Sequence, residues 1–211
     1  MGSMKYVIPT GSMTLTDQKE YRIKAIAAGL ERAAEKKIGT FSDDEIPNYA
    51  SLKSEQRYQN ILGLLLSGRW PAAFDVREFQ PILDAVTAAD QWNTAALAAV
   101  GTAYSCLQAV PAPVMAANKL AVFYKIGVET VPMPVSRVTF RSGGAVGNIL
   151  AIFDLEQLVN RLECDGYFSE PVVIDPTLTY AVQALCRIAT TVLARVQLGA
   201  YIVEPAGQTI A

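Results

Sequence analysis

Phe140 to Phe153 reads FRSGGAVGNILAIF, and within it Ser142 to Gly147 (SGGAVG) has the look of a loop that cradles phosphate. In a dinucleotide-binding turn, G-x-G-x-x-G follows a strand and opens a helix whose free N–H groups face the pyrophosphate. Here Ser142 stands where the first glycine makes the tight turn. The preceding SRVTF contains Arg137, whereas buried parallel strands are continuously apolar. Asp175 has the place of an acid that could meet a ribose hydroxyl, but Pro176 follows it, which suits a helix N-cap better. No Gly-Lys-Ser/Thr follows Gly147, so a P-loop is excluded. The stretch is read instead as a helix start, with Ser142 as cap and Gly143 and Gly144 releasing the chain from an edge strand. A nucleotide-binding enzyme or sensor using residues 142–147 is the alternative.

Arg137 and Arg141 flank this loop, and Arg187 and Arg195 follow later. Together with Ser142, Gly143 and Gly144 they are the candidate contacts to nucleic-acid phosphates, because backbone phosphate contacts need no sequence motif. Bulk electrostatics gives this little support. The net charge is −2, and no Lys/Arg run occurs.

The rest of the inventory removes more chemistry than it offers. The 211 residues include no histidine. That removes Ser-His and Cys-His nucleophile activation, the histidine proton shuttle and the histidine metal ligand. Cys106, Cys164 and Cys186 are widely spaced with no CxxC, which predicts reduced thiols in a cytoplasmic or virion setting rather than secretion. No catalytic residue, metal site or cofactor is expected, and the chain is read as a non-enzyme. The start carries no signal-peptide pattern. Gln91 to Asn118 lacks charge, but its alanines, polar residues, Pro111 and Pro113 predict two buried helices rather than a membrane span.

The positioning elements follow from apolar spacing. Asp17 and Glu20 match a capping pattern, and Ile23, Ile26, Ala27, Leu30 and Ala34 follow at helical spacing up to Gly39. A second helix starts near Ser51 and stops at Gly68, with Tyr58, Ile61, Leu62, Leu65 and Leu66 on one face. Further helices are predicted from Pro81 to about Ala89, from Thr94 to Ala109, from Pro113 to about Ile126 and from about Gly147 to Leu162. Leu178, Val182, Leu185, Ala189, Val192 and Val196 form a heptad seam that predicts a last, central helix capped by Asp175.

These elements predict a mainly α fold, a single helical domain of about six to seven helices. It spans residues 17–200, with a sub-boundary near 128–135 and at most a small β element near 135–140. Residues 1–16 and 201–211 read as extended N- and C-terminal arms. A 51% apolar, 18% charged chain of this size has more apolar surface than it can easily hide, which points to partners. The favoured function is a self-assembling structural subunit of viral coat or nucleocapsid type, forming a homo-oligomer, filament or shell. Its interface candidates are the aromatics Trp70, Phe74 and Phe79 and the arm residues Tyr6, Ile8, Tyr201 and Ile202. A helical adaptor docking one partner protein is the second alternative.

Overall fold

The computed structural model describes residues 4–84, 99–107, 112–128, 133–189 and 195–207, without the side chains of 82 and 83. It overturns the helical expectation: the chain is mainly β. Nine strands form one curled, half-barrel sheet: β1 (Lys5–Pro9), β2 (Phe74–Glu78), β3 (Ala103–Ser105), β4 (Leu120–Val128), β5 (Val135–Ser142), β6 (Asn148–Asp154), β7 (Asp165–Ile174), β8 (Tyr180–Cys186) and β9 (Val196–Pro205). Their order is β2-β9-β4-β7-β1-β6-β5-β8-β3. The pair β1–β6 is parallel, and the other pairs are antiparallel.

The helices are α1 (Leu15–Glu35), α2 (Ser54–Leu66) and two short pieces, α3 (Pro81–Asp84) and α4 (Glu156–Arg161). The two long ones lie where the apolar spacing placed them. Their caps differ by a few residues. Thr14, not Asp17, caps α1: its hydroxyl accepts from the Asp17 amide at 3.1 Å, and Asp17 reaches back to the Thr14 amide at 2.8 Å.

The segments 113–126, 147–162 and 175–200 were expected as helices. They hold β4, β6 with α4, and parts of β8 and β9 instead. Asp175 caps no helix. It lies past β7, where Arg32 of α1 donates to it through Nε at 2.8 Å and Nη2 at 2.6 Å, and Lys36 stands at 3.2 Å. Those guanidinium hydrogen bonds hold its carboxyl below the ordinary range. The segments expected as arms are partly sheet. β1 sits between β6 and β7, and β9 pairs with both β2 and β4. The predicted helices at 81–89 and 94–109 fall largely outside the described residues; what is described there is α3 and β3.

Two apolar cores share the sheet. Inside the curl, Phe123, Phe140, Phe153, Phe168 and Tyr180 pack with Val7, Val182, Ile202 and the inward residues of every strand from β4 to β9. Outside it, α1 and α2 lay Ala25, Ile26, Leu30, Ile61 and Leu65 on Leu120, Val122, Tyr124, Tyr167 and Val203. Strand β4 shows the logic residue by residue: Leu120, Val122 and Tyr124 face the helices, while Ala121 and Phe123 face the curl. A strand buried on both faces reads as a continuous apolar run.

The helices therefore cover only half the sheet. They pack over β4, β7 and β9, and among the described residues no counterpart covers the outer face of β6, β5, β8 and β3.

Candidate functional site

The glycine stretch is a β-hairpin. β5 runs into it and β6 runs out antiparallel, with Ser142 opposite Asn148. Gly143 and Gly144 adopt positive φ, 79° and 88°, which glycine reaches without steric cost. Gly147 is there for space: a Cβ would lie 1.7 Å from the Ser142 carbonyl oxygen. The loop uses its own amides, Gly143 N donating to Thr179 O and Gly147 N to Gly144 O. No helix starts there, so Ser142 caps none, and the helix N-terminus on which a dinucleotide's pyrophosphate sits is missing from this turn.

Arg141 belongs to this hairpin. Its Nη1 donates to Gly147 O and its Nε to Gln183 Oε1, both at 2.9 Å. Arg195 lies ahead of β9, on the other half of the strand order. Arg137 and Arg187, by contrast, meet in one place. They line an open cavity of about 300 Å³ with Ser136, Asp154, Glu156, Val159 and Asn160. β5 supplies Ser136 and Arg137, β6 supplies Asp154, α4 supplies Glu156, Val159 and Asn160, and the turn after β8 supplies Arg187. Helix α4 is pinned there by Leu158 in the inner core and by Asp154 Oδ1, which accepts from the Glu156 amide at 2.7 Å.

The charges at this rim are two positive and two negative. Arg137 and Asp154 sit opposite each other across β5 and β6. Even so, neither arginine head group joins an ion pair among the described residues, and the Arg137 Nε is buried without an acceptor. Reading the sequence alone missed Asp154 and Glu156 because it placed them on a helix. The usable signal was the alternation of Ala151 and Phe153 with Ile152 and Asp154.

The outer face is mixed: Arg137, Thr139, Arg141 and Gln183 share it with large apolar side chains. Tyr6 is 52% exposed, Ile149 50% and Leu150 42%, and Val146 at the hairpin tip is 97% exposed. Ile8, Ile152 and Leu185 are half-buried. Of the other interface candidates, Trp70 is exposed and Tyr201 half-buried against Tyr124. Phe74, Phe79 and Ile202 are core residues: Phe74 packs under α1 and α2, and Phe79 and Ile202 pack inside the curl.

The cysteines are free; Cys106 and Cys186 are buried, and desolvation pushes the Cys106 thiol up to about 12. Among the described residues no three His, Cys, Asp or Glu side chains are placed to hold a metal, and no helix is long and apolar enough to cross a membrane.

No family model and no curated protein matches the chain. Two solved structures are loosely similar. The coat protein of Tobacco streak virus shares 14% identity over 67% of this chain and 92% of its own, with a TM-score of 0.34. The Kashmir bee virus empty particle at acidic pH shares 10% identity over 67% of this chain and 96% of its own, with a TM-score of 0.19. Superpositions this loose assign neither a fold family nor a function.

Proposed function

We propose that the chain is a self-assembling structural subunit, of the coat or nucleocapsid kind, rather than an enzyme. The observation that carries this is the half-covered sheet. α1 and α2 bury one outer half; among the described residues nothing packs over the other, whose strands expose Tyr6, Ile149 and Leu150, with Val146 at the hairpin tip. Large apolar side chains gathered on one face mark an interaction site. The chemical inventory points the same way: no histidine, buried or half-buried thiols, and Asp84, Asp175 and Glu204 engaged in ion pairs. A virion setting belongs to this reading. A nucleic-acid role for the arginines is weakened, because Arg141 is committed to its hairpin and Arg137 and Arg187 share their rim with two carboxylates.

The test is sedimentation velocity from low to high micromolar protein, with negative-stain microscopy of the same samples. A concentration-dependent rise in mass to closed or repeating particles is expected. A monodisperse 22.8 kDa species throughout overturns the reading.

A further inference from the structure

We infer that the rim formed by Arg137, Arg187, Asp154 and Glu156 is a self-complementary contact that takes a second copy of this chain; the inference rests on the assembly reading. Strand order places the two signs apart. The acids lie on β6 and α4, and the arginines on β5 and just past β8. A two-fold axis standing on this face between β5 and β6 brings the basic half of one copy over the acidic half of the other, twice. That is the isologous pattern of a symmetric dimer, in which one patch serves both subunits.

Two observations favour a partner over a solvated surface. Opposite charges directly across a strand pair ordinarily meet, yet Arg137 and Asp154 form no ion pair. The Arg137 Nε is also buried with no acceptor, and such a group is costly unless something supplies one. A carboxylate of the second copy beside the exposed Arg187 would draw the Arg137 guanidinium outward and supply it. A polyanion fits less well, because Asp154 and Glu156 would repel it as much as the arginines attract it. The neighbouring Tyr6 and Ile152 provide apolar contact area, while the charges set register and exclude wrong docking.

The experiment is a charge exchange. R137E/R187E makes the rim uniformly acidic, and D154R/E156R makes it uniformly basic. Circular dichroism of each variant establishes that it folds. Each alone is expected to associate roughly 100-fold more weakly than the native chain, since two like-charged contacts replace two attractive ones. Mixed in equal amounts, the two are expected to restore association as heterodimers, detected by native mass spectrometry. Folded variants that assemble like the native chain, or a mixture that restores nothing, overturn the contact. A native chain that stays monomeric fails the assembly reading itself, so the two failures are separable.

Discussion

Replacing Arg77 tests how this sheet tolerates buried charge. Arg77 on the edge strand β2 donates to both oxygens of Asp84 and, through Nε, to Glu204 Oε1 at 3.0 Å; Lys119 reaches Glu204 Oε2 at 3.1 Å. Asp84 and Glu204 are only 4% and 3% exposed. The hydrogen bonds it donates, first to Asp84 and then to Glu204, hold the guanidinium more firmly charged than usual. Two cations meet two anions, so the cluster is neutral as it stands. Arg77→Met keeps most of the apolar stem but leaves Asp84 with no cation and Glu204 with only Lys119. Breaking a buried pair in this way costs about 3–5 kcal/mol, because a desolvated charge is stranded. For a domain of this size that corresponds to roughly 6–20 °C in Tm, at about 2–4 °C per kcal/mol. Urea titrations of R77M and of R77M/D84N are the assay, with the double variant recovering much of the loss because it removes the stranded charge. A deficit under about 1 kcal/mol, or one that ignores the second substitution, would refute the argument that a stranded buried charge sets the cost.

Gly147→Ala puts a methyl group onto the Ser142 carbonyl, so the hairpin must open; a loss of about 2 kcal/mol or more is expected by thermal denaturation, larger than for Gly144→Ala, whose added carbon meets only the Ala112 Cβ at 3.6 Å. Asp175→Asn removes the tie between α1 and the end of β7. Because the folded carboxyl titrates below its unfolded value, its contribution is present above about pH 4 and lost as pH falls through the folded pKa, so the native and variant curves should converge in acid. Native protein treated with iodoacetamide should be labelled first at Cys164, which is half-buried, while Cys106 and Cys186 react on the timescale of unfolding, as peptide mapping over time will show.

What could be read from the chain and what could not divide along one physical line. Ile23, Ile26, Ala27 and Leu30 include odd steps, which no single strand face accommodates, and α1 is a helix. Leu178, Val182 and Leu185 also include an odd step, but there it joins two opposite faces of one strand, both apolar. In β8 the inward set is Tyr180, Val182, Ala184 and Cys186, a plain period of two, hidden because Ala181 and Leu185 make the other face apolar as well. The same ambiguity made helices of β4, β6 and β9. The site suffered from it too. Arg137 and Arg187 are two of the four arginines named as phosphate contacts; what brings these two together, and beside Asp154 and Glu156, is strand pairing that no local pattern discloses. Phe74 reads as an interface residue because nothing in the sequence indicates a second core, and Phe79 and Ile202 because their turn and arm settings hide the sheet that buries them.

That second core changes what the composition means. An apolar content of 51% in 211 residues implied surface left over for partners, on the premise of one core. Here one sheet is buried on both faces over β4, β7 and β9, which absorbs much of that excess internally. Composition alone therefore no longer argues for assembly. What argues for it is asymmetry: a sheet that invests two helices in covering one half of its outer face leaves Tyr6, Ile149 and Leu150 exposed on the other. An antiparallel sheet face meant for water alternates apolar-in with polar-out, and at these positions this one does not.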